Sequence, residues 1–175
     1  LISDAVAVDM TKVATPTPVT VTATGPASVE AGGTIDYTAE VTVDLPGLAA
    51  VVLEDRVRPI VEGGYGPELA ASAWVEMSLT DTVVRLDVPE GPASTGTPAV
   101  TSGAATAGWS SGAVEVTVPG PITVDSRTPG SPTTVEVGWS VTTPADVAPF
   151  EAVLPAAEVD LDLDLTVGVM LGTVP

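Results

Sequence analysis

The feature that most constrains this chain is an uninterrupted alternation of aliphatic and polar residues between Glu158 and Met170. The aliphatic members are Val159, Leu161, Leu163, Leu165, Val167 and Val169. Successive side chains of an extended chain point to opposite faces, whereas a helix would spread both kinds around its circumference. The run therefore predicts a long β-strand with one aliphatic and one acidic face. Burying six aliphatic side chains is worth about 10 kcal/mol, so we expect this strand to be a main wall of the core.

The acidic face of this strand needs a partner or water. Carboxylates two residues apart on a strand lie about 6.8 Å from each other. Their repulsion is about 0.6 kcal/mol in water and many times larger in a dry interior. We therefore expect Asp160, Asp162 and Asp164 to face solvent, with a calcium ion or arginines as alternatives. An EF-hand loop is rejected because Leu165 stands where that loop needs glycine.

Composition predicts the fold class. Of the 175 residues, 45% are hydrophobic but only 3% aromatic, so the core must be built from valine, alanine, leucine and isoleucine. The 17 glycines and 17 prolines favour turns over long helices. We predict an all-β, antiparallel β-sandwich, immunoglobulin-like or jelly-roll-like, with at most one short helix near residues 68–77. A strand over Ala71–Leu79 is the alternative for that segment.

Charge and residue types exclude several function classes. The 5 basic and 23 acidic residues give a formal charge of −18, which argues against nucleic acid or an anionic membrane as partner. The chain has no His and no Cys, which removes the familiar Ser, Cys and metal-hydrolase sites. A carboxylate pair acting on a glycosidic bond remains, but sugar clefts are typically aromatic-lined, and this chain holds 3 Trp, 2 Tyr and 1 Phe. We predict a protein that is not an enzyme and needs no cofactor. The longest apolar run is too short to span a membrane.

The beginning of the sequence predicts a strand attached through a stiff spacer. Leu1–Val13 places Ile2, Val6, Val8 and Met10 on one face. Residues 14–18 form a proline-rich spacer, and we expect one domain over residues 19–175. The terminal strand is either the first strand of its own sandwich or a donor that completes a neighbouring subunit's sheet. A chain that begins at Leu1 rather than Met fits a processed export product.

One stretch resembles a known class of domain. The residues Pro26-Ala27-Ser28-Val29-Glu30-Ala31-Gly32-Gly33-Thr34-Ile35-Asp36-Tyr37-Thr38 resemble the opening of bacterial immunoglobulin-like surface repeats. In those repeats a Pro-x-x-Val-x-x-Gly turn precedes a strand with an alternating aromatic. The resemblance covers about Val19 to Val43 and departs at Asp44–Gly47, where an Asn-Gly-type turn is usual. It implies an exported β-sandwich and no catalytic residue.

Two further segments carry predictions of their own. Leu48–Val61 is interpreted as a strand with Arg56 and Arg58 on one face. Those arginines either form a charge ladder with the acidic strand or pair with Glu54 and Asp55. Glu90–Gly112 is predicted as a long loop with one weak strand around Ala99 to Ala105. Trp109 lies in this loop and is either a lid on the core or a binding platform.

Two functions follow from these patterns. The first is a structural subunit of an extracellular fibre, pilus or layer, polymerising through the N-terminal strand as a homo-oligomer or polymer. The second is an adhesin or a carbohydrate- or cation-binding module that uses Trp109, Tyr65 or the acidic face to contact a cell wall or glycan. Both place the protein at the cell surface.

Overall fold

The computed structural model describes residues 18–25, 28–29, 32–88, 93–145, 150–151 and 156–170. Within these residues the chain is mostly β, with three antiparallel sheets of three or four strands and a helix of 21 residues. The strands are β1 Val19–Thr24, β2 Ser28–Val29, β3 Thr34–Val43, β4 Ala73–Leu79, β5 Thr82–Asp87, β6 Ala93–Ser102, β7 Thr106–Ser110, β8 Ala113–Val118, β9 Ile122–Asp125, β10 Thr133–Thr142, β11 Phe150–Glu151, β12 Ala156–Asp160 and β13 Leu163–Val169. The predicted β-rich class is confirmed.

The first sheet has the strand order β1-β3-β10-β6, and all its pairs are antiparallel. Its central strands alternate as the sequence predicts, with one buried apolar face and one outer face of hydroxyls and carboxylates. The buried residues are Ile35, Tyr37, Ala39, Val41, Val43, Val135, Val137, Trp139 and Val141. The rings of Tyr37 and Trp139 stack with their centroids 5.4 Å apart. The aliphatic core therefore has an aromatic pair at one end of this sheet.

The second and third sheets share three long strands that bend. The second has the order β12-β5-β8-β7 and the third β13-β4-β9. Strands β4–β5, β8–β9 and β12–β13 each run from one sheet into the other, and we call these three strands the ribbon. Each of the three strands is interrupted once, at Thr80–Asp81, Pro119–Pro121 or Leu161–Asp162, and we call these interruptions the bend. The three breaks lie at one level, because Leu79 pairs with both Ile122 and Leu163, and the backbone N–H of Thr80 donates to the Asp162 carbonyl over 3.2 Å.

The predicted single strand Glu158–Met170 is therefore wrong in two respects. It breaks at Leu161–Asp162 into β12 and β13, which belong to different sheets. Both lie at a sheet edge, so each has a neighbouring strand on one side only. Leu163, Leu165 and Val167 are consequently half-buried, and Val159 and Val169 are exposed. The core wall is instead made by the central ribbon strands β4–β5 and β8, with buried Val75, Leu79, Val84, Leu86 and Val116.

The longest helix lies where a strand was predicted. It consists of α1 (Leu45–Val52), a π-helical turn (Leu53–Val57) and α2 (Arg58–Tyr65). The Asp44 side chain caps its start by accepting from the Gly47 N–H over 2.8 Å. Leu45, Leu48, Ala49 and Val52 are buried on one face, which is helical rather than strand spacing. Pro46 sits in the first turn, where its missing N–H costs nothing, and the π-helical turn directly precedes Pro59.

Two more segments differ from the prediction. The helix expected near residues 68–77 ends early: α3 covers Pro67–Ala71, and β4 begins at Ala73, so the strand alternative is right from that residue. The predicted loop Glu90–Gly112 holds β6 and β7. Gly96 and Pro98 are tolerated in β6 because its pairing with β10 shifts register twice. Buried side chains from all three sheets and from the helix form one continuous cluster.

Candidate functional site

A depression among the described residues lies on the outer face of the first sheet. It is open to solvent, has a volume of about 420 Å³, and is lined by Asp36, Tyr37, Thr38, Gly96, Thr97, Ala99, Gly138, Trp139 and Ser140. Gly138 contributes no side chain, and the register shifts of β6 lie beside it. The Ser140 hydroxyl donates to Asp36 Oδ1 over 2.6 Å. The depression thus offers hydroxyls and one carboxylate, groups suited to hydrogen bonds with a polar ligand.

Two carboxylates face each other on the same outer face. Glu40 of β3 and Glu136 of β10 are direct cross-strand partners. The Thr101 hydroxyl donates to Glu136 Oε1 over 3.2 Å. Like charges directly opposite on a sheet destabilise the pairing modestly. This pair is therefore a place where a counter-ion or salt would stabilise the fold.

The three aspartates of the predicted cation site lie along the bent edge of the ribbon. Asp160 pairs with Val83 on β5, Asp164 pairs with Ser78 on β4, and Asp162 lies at the bend between them. All three are exposed, as expected for a solvated face. In the part of the chain that the structure describes, no three acidic side chains form a group that could hold a metal ion. The calcium site stays a prediction.

The predicted arginine ladder beside these aspartates is wrong in its members. Arg56 and Arg58 lie on the helix, and Arg58 pairs with Glu54 one turn earlier, as the alternative interpretation stated. The arginine that faces the acidic strand is Arg85, the cross-strand partner of Glu158. Its Nε donates to Asp87 over 3.1 Å. Sequence reasoning missed this arrangement because the register of β5 against β12 depends on the ribbon's topology.

Trp109 lies on β7 and is half-buried against the core. Its Nε1–H donates to the Gly96 carbonyl over 2.8 Å, which ties β7 to the irregular part of β6. This contact gives the indole a structural role of the kind the lid interpretation describes. Tyr65 ends the helix and is 78% exposed, so its ring is free to contact a ligand or partner. The binding role of either residue stays a prediction.

A cluster on the outer face of the third sheet was not anticipated. Trp74 of β4 lies directly opposite Gly168 of β13, and a side chain at Gly168 would collide with the indole. The guanidinium carbon of Arg127 lies 4.2 Å from the Trp74 ring centroid, a cation–π contact. Arg127 Nε also donates to Asp125 Oδ1 over 2.8 Å. The one sequence signal was Gly168 itself, since a glycine inside a strand marks a close approach.

The surroundings of Asp125, Arg127 and Tyr37 shift their pKa values. The Arg127 side chain holds the pKa of Asp125 below its usual range by hydrogen bonding, and Asp125 in return raises the pKa of Arg127. Burial raises the pKa of Tyr37. The first pair links β9 to the loop that follows it, because the Asp125 carboxylate also accepts from the Arg127 backbone N–H over 2.9 Å.

The predicted self-assembly residues Ile2, Val6, Val8 and Met10 lie outside the described residues. The first described strand after them in the sequence is β1, which begins at Val19 and forms one edge of the first sheet.

No protein-family model and no curated protein sequence matches this chain. The resemblance to bacterial immunoglobulin-like repeats therefore remains a prediction from the residues that carry it. Within the described ranges, no helix combines the length and apolar character that crossing a membrane requires.

Proposed function

We propose that this protein is a non-catalytic structural subunit of an extracellular bacterial surface assembly, a fibre, pilus or layer. Copies join when the segment Leu1–Val13 of one adds a β-strand to a sheet of the next. The observation that carries the proposal is the position of β1. This strand directly follows the segment and its spacer, and among the described strands only β3 pairs with it.

The fold proposed for the subunit is a β-sandwich, immunoglobulin-like or jelly-roll-like. The first sheet supplies one layer and the ribbon the other, since the buried faces of both contribute to one core cluster. The helix packs its buried face beside β4 and β9 of the third sheet. Such a body supplies rigid edges, which strand addition requires.

The residue types also support a structural role. The chain has no His and no Cys, and its abundant carboxylates lie on open sheet faces and edges rather than in a deep cleft of the described part. The resemblance around Pro26–Thr38 is to surface repeats that carry no catalytic residue. A charge of −18 favours an exposed, salt-tolerant extracellular setting.

The test compares the full chain with a variant lacking Leu1–Val13 by electron microscopy and sedimentation. We expect filaments or sheets from the full chain and single particles from the truncated one. A full-length pair refines the test: Val6→Ser/Val8→Ser should abolish assembly, whereas Ala5→Ser/Ala7→Ser, on the opposite strand face, should preserve it. A full chain that stays monomeric at every concentration, beside a stable truncated monomer, would overturn the proposal.

The second candidate is a carbohydrate- or cation-binding adhesin module. The hydroxyl-lined depression around Ser140 and the exposed ring of Tyr65 favour it. Single particles whose tryptophan fluorescence changes on adding cell-wall glycan, with the change lost in Trp109→Ala, would support this candidate over assembly.

A further inference from the structure

The described sheet edges are unequally protected against pairing with another strand. Natural edges are blunted by charges, prolines, bulges, shortness or a covering element. β12 carries Glu158 and Asp160, and β13 carries Asp164. β9 has four residues, and helix α1 packs beside it. β6 contains Gly96, Pro98 and two register shifts. β7 lies beside it and is joined to it by the hydrogen bond from Trp109 to Gly96.

β1 has none of these protections among the residues that the structure describes. Its six residues, Val-Thr-Val-Thr-Ala-Thr, carry no charge, no proline and no glycine, and all six pair with β3 in unbroken register. Val19 is buried, but Val21 and Ala23 are only half-buried on the core side of the sheet. A strand added at this edge would cover both and satisfy the free backbone groups of β1. The edge is therefore built to receive a strand.

The segment before β1 has the pattern that such a strand needs. Val6, Val8 and Met10 alternate with small or polar residues, so it can place apolar side chains beside Val21 and Ala23 and polar ones beside the threonines. Thirteen residues exceed the six of β1, which allows full pairing.

The spacer favours pairing with a second copy over folding back. Proline at positions 16 and 18 disfavours a tight reversal at Thr15 and Thr17, and a five-residue spacer in extended form would span about 15 Å. The Pro18 carbonyl accepts from the Asp44 N–H over 2.6 Å, which fixes the direction of the chain as it enters β1. A spacer that does not reverse would favour a segment that reaches a neighbouring copy over one that returns to its own β1 edge.

We infer that β1 is the accepting edge of the assembly and that its occupant is the segment Leu1–Val13 of a second copy. This inference rests on the proposed function and adds the site of contact. Each copy both donates a segment and accepts one, so the contact is heterologous and propagates as a chain of subunits.

Cysteine cross-linking tests the inference directly, because the chain has no cysteine of its own. Thr22→Cys is placed on the outer face of β1 in one preparation. Ala5→Cys, Ala7→Cys or Asp9→Cys, which share the segment face opposite Val6, are placed singly in a second preparation carrying a size tag. Paired strands bring directly opposed Cα atoms within disulfide range. We expect a tagged–untagged disulfide dimer on mild oxidation of the mixture for at least one position, and none with Thr134→Cys on the interior strand β10 as the control.

The outcomes separate this inference from the proposed function. Assembly that depends on Leu1–Val13 but gives no link to Thr22→Cys would overturn the β1 assignment and leave the function standing. A third preparation carries Thr22→Cys and one of the segment cysteines in the same chain. Disulfides that form within this chain, and never between chains in the mixture, would show that each chain covers its own edge. That result would overturn both the β1 assignment and the proposed function.

A second variant reports on the same edge without oxidation. In Val21→Lys the ammonium can reach water past the free edge, but an added strand would bury it. We expect loss of assembly with a folded monomer, whereas Val21→Thr, which keeps the shape and adds no charge, should assemble. Unimpaired assembly of folded Val21→Lys would contradict the assignment.

Discussion

Arg127 has two partners, and they draw on different properties of its guanidinium. Its cation covers the Trp74 ring, and its N–H groups donate to Asp125. The ring in turn has room only because its cross-strand partner is Gly168. Trp74, Arg127 and Gly168 lie far apart in sequence, so apart from the glycine inside β13 the pattern of each strand gives no sign of the cluster. By contrast, the inward positions of Tyr37 and Trp139 follow directly from alternation within their own strands.

Because of the Asp125–Arg127 pair, we expect the free energy of unfolding to fall in acid. Because its folded-state pKa is lowered, ionised Asp125 stabilises the fold above the unfolded-state pKa of about 4, and this contribution is lost as pH falls through the lower folded value. Asp125→Asn should therefore be less stable than the parent at neutral pH, and the two should converge below about pH 4. Urea unfolding at several pH values measures this.

The matched control is Asp164→Asn, which removes one carboxylate from the same outer face of the third sheet. Because Asp125 makes the ion pair with Arg127, Asp164→Asn should cost less stability than Asp125→Asn at neutral pH. An Asp125→Asn difference that stays constant from neutral to acid pH would contradict the assignment.

At the scale of elements, prediction worked where one face of a strand is buried and failed where proline and glycine were interpreted as breakers. Strands β3 and β10 can be read from their own sequences, because period-two alternation is a direct consequence of burying one face. The helix was missed because the 17 prolines were taken together as favouring turns, whereas Pro46 and Pro59 each lie at a first or second helical position. Strand β7 and the first part of β6 were not predicted, because their small residues bury little and give a weak pattern. The weak strand expected around Ala99–Ala105 overlaps the end of β6.

Two glycines, one closely packed at the bend and one in open space on helix α2, provide a test of the packing at the bend. At Gly120, a Cβ would lie 2.7 Å from the Thr80 carbonyl carbon, and backbone at the bend cannot move aside as a side chain could. At Gly63 in α2, nothing lies within 4 Å. Gly120→Ala should destabilise the fold by about 1–3 kcal/mol through overpacking. Gly63→Ala should stabilise it by about 0.4–1 kcal/mol through reduced chain entropy.

Denaturant midpoints with unchanged slopes would measure both effects. If Gly120→Ala proved as stable as the parent, the close packing of the three ribbon strands at the bend would be wrong.

For the whole molecule, charge sets the conditions of association. Copies with a formal charge of −18 repel each other, and within each copy Glu40 faces Glu136. The sequence alone predicts the net negative charge and the β-rich class. It could not predict which edge stays open, because edges depend on the order of strands in each sheet, and strands distant in sequence set that order.

Assembly of the full chain should therefore be promoted by salt. The Debye length falls from about 30 Å at 0.01 M to about 10 Å at 0.1 M, which screens repulsion between neighbouring subunits. Light scattering across this range should rise with ionic strength, while the chain lacking Leu1–Val13 should stay unchanged. Assembly that is insensitive to salt would mean that the carboxylates are already neutralised within the contact.

The bend has a consequence for how the molecule comes apart. Because each ribbon strand contributes to two sheets, pulling any one of them out removes a neighbour from both sheets at once. Neither sheet can then melt while the other survives. Heat should therefore produce a single calorimetric transition, with the amides on either side of Thr80 and Leu161 exchanging with deuterium at matching rates.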